Sequence, residues 1–202
     1  MPTLTIQPNA AAGMDVFLHK HYPTNNYGAE PDLRIGERNT HVDYVIRTLI
    51  KFDLSGLPAD AIISSAVLSL WCVTDKSSHA RTFRVYRVKR DWVEDEATWN
   101  IYSTGNNWQT SGAAGANDRE ATDIGTRAFT ATEALNEFKA FALTPVTKAG
   151  LDLGYGWILK ADTESDDMYI FDSSDQATAA QHPKLVIEYT LPSVGRSWGM
   201  IF

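Results

Sequence analysis

The feature that most constrains this chain is a long stretch of strict alternation at residues 62–73. One set of alternate residues is Ala66, Leu68, Leu70 and Cys72, and the other is Ser65, Val67, Ser69 and Trp71. Successive side chains of a strand point to opposite faces, so this pattern predicts a β-strand that buries the first set. Trp71 is then expected on the side away from the core.

Further stretches rich in β-branched and aromatic residues recur between turn residues. They lie at residues 15–18, 33–35, 44–52, 83–88, 155–160, 168–171 and 185–189. With the alternating stretch they make roughly eight strands, the number of a jelly roll. A hydrophobic fraction of 44% over 202 residues is enough for one sizeable core. We therefore predict an all-β, antiparallel jelly-roll β-sandwich as a single domain over residues 1–190, followed by a C-terminal arm at 191–202.

One short helix is predicted between residues 130 and 142. Thr130 and Glu133 have the spacing of a capping box. Leu135, Phe138 and Ala142 then follow at helical spacing. We expect this helix to cover one end or edge of the sandwich.

Charge and cysteine content exclude several kinds of partner. The formal net charge of −7 argues against nucleic acid, which needs clustered basic residues. No apolar run approaches the roughly 18 residues of a membrane span, so no membrane partner is expected. The single cysteine, Cys72, can form neither an internal disulfide nor a zinc cage. The first residues lack the features of a signal peptide, which predicts a chain that begins in the cytoplasm.

Catalytic and metal-binding patterns are weak, and we predict neither an enzyme nor a cofactor. The five histidines are scattered, and Cys72 lies in a predicted core strand. The acids at residues 91–96 crowd one loop, which does not by itself make the cleft that glycoside hydrolysis requires. A second acidic loop at residues 162–167 lacks the spacing of an EF-hand. We interpret it as a solvated turn, with a structural calcium site as the less favoured alternative.

A series of short strings carries a resemblance to a known family. They include Asp15-Val16-Phe17-Leu18, Asn26-Tyr27-Gly28, Trp92-Val93-Glu94, Phe171-Asp172-Ser173-Ser174 and His182-Pro183-Lys184-Leu185, with others at 33–36, 47–55, 63–68, 85–88, 96–100 and 156–159. In number and order they resemble the DNRLRE-domain family, jelly-roll modules that include alginate-type carbohydrate-binding modules. The resemblance covers about residues 15–189 and implies a non-catalytic β-sandwich. Members are either modules of secreted polysaccharide-degrading or surface proteins, or stand-alone phage virion proteins.

Two functional hypotheses follow, and the first is a structural virion protein. The chain has no signal peptide or linker, and its end beyond Pro192 is apolar. These features favour a head decoration, cement or fibre-associated protein assembled in the host cytoplasm. Its partners would be other protein chains, either virion neighbours or copies of itself. The residues predicted to pack on such a neighbour are Trp198, Met200, Ile201 and Phe202.

The alternative is an extracellular or cell-surface carbohydrate-binding module for an acidic polysaccharide. A basic strip beside an exposed aromatic ring would suit uronate carboxylates. The candidate ligand-binding residues are Arg47, Lys51, Trp71, Arg84 and Trp108, the last in a long loop at residues 103–117. Loops carried by a rigid sandwich often carry function. The competing interpretation, a polar outer face that only keeps the module soluble, is favoured for the basic strip.

Overall fold

The computed structural model describes residues 1–38, 43–145, 147–165 and 167–192. These ranges contain thirteen strands and one helical turn, α1 (Lys148–Leu151). The strands are β1 (Thr3–Ile6), β2 (Met14–His19), β3 (Asp32–Glu37), β4 (Val45–Lys51), β5 (Ile62–Asp75), β6 (Arg81–Val88), β7 (Ile101–Ser103), β8 (Asn106–Asn107), β9 (Arg119–Phe129), β10 (Glu137–Leu143), β11 (Trp157–Ala161), β12 (Met168–Asp172) and β13 (Lys184–Thr190). In the described ranges, no helix is long and apolar enough to span a membrane.

The strands pair around a closed ring of eight, in the order β5, β10, β9, β6, β11, β4, β3 and β12. The ring closes because β12 also pairs with β5. Outside the ring, β2 pairs with β4, β13 with β5, and β1 with β13. The predicted all-β, antiparallel fold is therefore confirmed. Pairing runs continuously rather than dividing into two sheets, so the jelly-roll connectivity stays a prediction.

The main core fills the inside of this ring. The predicted strand at residues 62–73 is confirmed as β5, and Leu68, Leu70 and Cys72 are all buried. Trp71 remains half-exposed on the outer side, as the alternation predicted. Each fully buried leucine stabilises the fold by roughly 1.5–3 kcal/mol. The core therefore depends on keeping the register of β5, since a slip of one residue would turn these side chains outward.

A second apolar core lies outside the ring, against β2, β4 and β11. The segment from Trp92 to Trp108 folds back over Leu49 and Ile158 and covers their outer faces. Strand β4 is therefore buried on both sides, with Leu49 in the second core and Ile50 in the main core. A strand covered on both faces carries apolar residues at successive positions, as Val45-Ile46 and Leu49-Ile50 do in β4.

The helix predicted between residues 130 and 142 is wrong. The second part of this segment forms β10, which pairs with β5 and β9. Its alternation was hidden because Lys139 is a charged residue at an inward position, beside buried Phe141. The capping-type contact does exist: the backbone N–H of Thr130 donates to Glu133 Oε1 at 2.8 Å. It closes a turn before β10, and the helical turn lies later in the chain, at α1.

Lys139 is only 1% exposed and is neutralised locally. Its ammonium lies 2.9 Å from Glu133 Oε2 and 2.7 Å from Glu137 Oε1. Burial raises the pKa of Glu133, but the N–H of Thr130 and the charge of Lys139 outweigh it and lower the pKa to about 2. This ion pair is what allows a lysine to occupy an inward position of β10.

We expect Glu133→Gln to destabilise the protein by roughly 3 kcal/mol at neutral pH, because it leaves a buried ammonium poorly compensated. The folded-state pKa lies below the unfolded value, so the ionised carboxylate stabilises the fold above about pH 4.3 and loses this effect toward about pH 2. The difference between wild type and variant should shrink over that range. Guanidinium unfolding at several pH values measures it, with exposed Glu30→Gln as control. An equal loss at every pH would contradict the ion-pair explanation.

Candidate functional site

The clearest candidate binding surface lies on the outer side of β5, β10 and β13. Trp71 stands opposite Phe138 across the β5–β10 pair, with ring centroids 5.1 Å apart in an edge-on arrangement. Lys184 of β13 places its Nζ 4.3 Å from the centre of the Phe138 ring. All three side chains are half-exposed. We refer to Trp71, Phe138 and Lys184 as the aromatic face.

Strand register explains why these three residues meet. Trp71 and Ser69 point outward from β5, and the register sets Phe138 and Ala140 of β10 opposite them. On the other edge of β5, Lys184 stands opposite Ser69. Ser69 and Ala140, the neighbouring outward residues, have small side chains. The rings of Trp71 and Phe138 therefore project beyond the surface next to them.

The Trp71 ring is also held from its polar edge. With its amide oriented to satisfy both neighbours, Gln181 accepts from Trp71 Nε1 at 3.2 Å and donates to Asp172 Oδ2 at 3.1 Å. A buried or half-buried indole N–H normally finds such a partner. The ring position is therefore set before any ligand arrives.

Charge at the aromatic face is positive. Among the described residues, no carboxylate forms an ion pair with Lys184. Its ammonium instead lies over the Phe138 ring in a cation–π contact. Phe138 was not among the predicted site residues because β10 was mistaken for a helix, and Lys184 was not because its contact with Phe138 depends on the pairing of distant strands.

Two of the predicted basic residues share a face, but it lies across the ring from Trp71. Arg47 on β4 and Arg84 on β6 flank Lys160 of β11, which stands directly opposite Arg84. Arg84 pairs with Asp123 at 2.9 Å. The predicted combination of this basic strip with Trp71 in one site therefore does not occur.

Arg47 anchors structure rather than presenting a free charge. Its guanidinium makes two contacts to Glu164, at 2.7 and 2.8 Å, and donates to the carbonyl of Gly112 at 2.5 Å. It also lies 4.9 Å from the ring centre of Trp99. Gly112 has a φ of +74°, and a Cβ there would come 2.6 Å from the Trp99 ring. Arg47 thus fixes the covering segment against β4.

Trp108 lies in the second core and presents no face to solvent. It is 4% exposed, and its Nε1 donates to the carbonyl of Thr98 at 2.9 Å. The geometry does not support the prediction that Trp108 forms an exposed sugar platform. It holds the predicted loop at residues 103–117 against the sheet.

Lys51 lies apart from the other candidates, in a cleft of about 480 Å³. The cleft also contains Lys148, Asp53 and Asp152. Lys148 donates to the carbonyl of Leu57 at 2.8 Å, so its ammonium is hydrogen-bonded to the protein backbone.

The structure does not test ligand binding by the predicted residues Arg47, Lys51, Trp71 and Arg84. Their role in binding stays a prediction.

The acidic loop at residues 162–167 directs its described carboxylates to protein donors. Glu164 is held by Arg47, as above. Asp167 accepts from the backbone N–H groups of Ser78 and His79 at 2.7 and 2.9 Å, and it lies 2.7 Å from Arg81 Nε. The alternative of a calcium site in this loop gains no support from these contacts. A different group of acids, Asp15, Glu94 and Asp175, brings one carboxylate oxygen of each residue within 4.8 Å of the others.

The predicted assembly arm lies outside the described residues. Its residues Trp198, Met200, Ile201 and Phe202 all fall within 193–202. The virion hypothesis depends mainly on this arm, and it stays a prediction.

Comparison with known proteins shows that part of the chain is similar to one family of binding modules. The model of carbohydrate-binding module family 96 matches residues 7–101, just under half of the chain. No curated protein matches the chain. The matched part includes Trp71 of the aromatic face. The match supports a relation to carbohydrate-binding modules, while the DNRLRE family and a phage origin stay predictions.

We expect Trp108→Ala to destabilise the protein by roughly 3–5 kcal/mol, because it empties part of the second core. Guanidinium unfolding followed by fluorescence measures this loss. Trp71→Ala provides the matched control and should cost much less, since that ring is half-exposed. Retention of wild-type stability by Trp108→Ala would contradict the anchoring role.

Proposed function

We propose that this protein is a non-catalytic carbohydrate-binding module that holds an acidic polysaccharide on its aromatic face. The observation that carries the proposal is the half-exposed pair of Trp71 and Phe138 with Lys184 beside it. The family match over residues 7–101 supports the same class of ligand. Binding of this kind needs only contact and charge, and no nucleophile or general acid.

Trp71 supplies the stacking surface. Aromatic side chains bury a large area with few rotatable bonds, so they lose little conformational freedom on binding. Contact with Phe138 and Gln181 already restricts the ring. A preorganised ring increases affinity because less ordering remains to be done when the ligand binds.

Lys184 supplies the preference for acidic sugars. It stands opposite Ser69, two residues from Trp71, which places it diagonally across the strand pair. Such diagonal positions are about 7–8 Å apart. One sugar can therefore stack on Trp71 while a neighbouring carboxylate pairs with the ammonium. Charge-assisted hydrogen bonds of this type are stronger than neutral ones.

We expect the full chain to bind soluble polyuronates, such as alginate or polygalacturonate, more tightly than neutral glucans. Trp71→Ala should weaken binding at least about tenfold, equivalent to about 1.4 kcal/mol. Lys184→Ala should reduce the preference for acidic polymers and the sensitivity to salt. Affinity electrophoresis and calorimetry measure both effects.

Two substitutions elsewhere on the surface serve as matched controls. Tyr22→Ala removes an exposed aromatic ring, and Lys20→Ala removes an exposed lysine. Both should leave binding unchanged. Absence of binding to every polymer would overturn the proposal. Loss of binding in Arg84→Ala or Lys51→Ala but not in Trp71→Ala would overturn the choice of face.

A further inference from the structure

The cleft beside Lys51 has no role in the proposed function, and the family match does not assign it one. Its volume is about 480 Å³, within the range of about 300–1,000 Å³ that is usual for small-molecule sites. Its lining comes from β2 and the turn before it, the end of β4 with the turn after it, and the chain from α1 to residue 154. The aromatic face lies on β5, β10 and β13, so the cleft is a separate surface.

Apolar residues line part of the cleft around the base of Lys51. Met14 stands opposite Lys51 across the β2–β4 pair, and Phe52 and Leu54 follow Lys51 in the chain. Gly156 has a φ of +71°, and a Cβ there would come 2.7 Å from the Cβ of Lys51. The backbone before β11 therefore packs directly against Lys51, which fixes where its side chain leaves β4.

Two carboxylates of the cleft are held in place by their own neighbours in the chain. Asp53 accepts from the backbone N–H of Ser55 at 2.8 Å and from its hydroxyl at 2.9 Å. Asp152 Oδ1 accepts from the N–H groups of Gly154 and Gly156, each at 2.9 Å. Within the described ranges, no hydrogen bond is donated to Asp152 Oδ2. The cleft therefore contains preformed acceptors for the hydroxyl groups of a ligand.

The two lysines of the cleft differ in their partners. Lys148 donates to the carbonyl of Leu57, and its charge, together with the hydrogen bonds from Ser55 that have the larger effect, lowers the pKa of Asp53. Lys51 is half-exposed, and none of the described carboxylates forms an ion pair with it. The ammonium of Lys51 is therefore the cation that an anionic group entering the cleft would pair with.

These groups together select one class of ligand. A carboxylate can pair with Lys51, hydroxyl groups can donate to Asp53 and Asp152, and the apolar face of a sugar ring can pack on Met14 or Leu54. A simple anion would pair with the ammonium but would be repelled by the two carboxylates. A neutral sugar would leave the ammonium without a partner.

We propose that this cleft is a second binding site, which takes one uronic acid unit, either as a free sugar acid or as part of a chain. Lys51 binds the carboxylate, and Asp152 Oδ2 accepts from a hydroxyl. The proposal goes beyond the function proposed for the aromatic face, because both the place and the size of the ligand differ. It therefore predicts binding of single sugars that are too small to need the aromatic face.

We expect D-galacturonate to bind the full chain with a Kd on the order of 1 mM, the strength that ligand efficiency gives for a molecule of this size. Titration followed by two-dimensional proton–nitrogen NMR measures it. The backbone signals that move should be those of residues 51–55, Asp152 and Gly154. D-Galactose lacks the carboxylate and acetate lacks the ring hydroxyls, so each should bind at least about tenfold more weakly.

Three variants test where the sugar acid binds. Lys51→Met keeps the apolar stem and removes the charge, so it should weaken galacturonate binding at least about tenfold without lowering Tm. Exposed Lys76→Met is the matched control and should bind like wild type. Trp71→Ala disables the aromatic face and should also bind galacturonate like wild type.

Four outcomes would overturn the proposal. They are no signal change at residues 51–55 with roughly 50 mM galacturonate, wild-type affinity in Lys51→Met, equal binding of galactose, and equal binding of acetate. Oligogalacturonates in the same titration distinguish the free acid from a unit of a chain. Failure of the proposed function would look different, since polyuronate binding would be absent while galacturonate still bound.

Discussion

The structure depends on the way in which β5 forms hydrogen bonds along both of its edges. One edge pairs with β10 over residues 66–72, half of the strand. The other edge pairs first with β13 and then with β12, and the register shifts where β12 takes over. This change of partner is what closes the ring. Without it β12 would present an open edge beside β5, and open edges invite pairing with other chains.

Closure leaves two kinds of outer surface, and they have different roles. Over β2, β4 and β11 the outer face is apolar and is covered by the segment from Trp92 to Trp108. Over β5, β10 and β13 the outer face remains open and carries Trp71 and Phe138. The difference explains why four conspicuous tryptophans of this chain have such unlike environments. Three of them (Trp92, Trp99 and Trp108) close a core, and Trp71 is available to a ligand.

Sequence patterns predicted much of this fold because most strands are either alternating or wholly apolar. All eight predicted strand positions coincide with strands of the structure. Strand β10 was missed because its inward Lys139 is neutralised by Glu133, an acid six residues away that reads as part of a helix cap. Strand β9 was missed because it carries polar residues at many of its positions.

The candidate site was only partly predictable, for a related reason. Trp71 could be placed on the outer face because its own strand alternates. Phe138 and Lys184 join it through pairing between distant strands, which no local pattern records. The same holds for Asp15, Glu94 and Asp175, whose proximity arises only when three separate segments meet. By contrast, the crowding of acids at residues 162–167 was visible in the sequence, and there Glu164 and Asp167 bind protein donors.

The chain after β12 connects the aromatic face to β2. Asp172 accepts from Gln181, which holds the Trp71 ring, and from Gln176 at 3.3 Å. Two residues later, the backbone N–H of Ser174 donates to Asp15 Oδ2 at 3.1 Å. The Trp71 ring is therefore positioned by residues outside its own strand, so the shape of the aromatic face is set by a connecting segment as well as by the sheet.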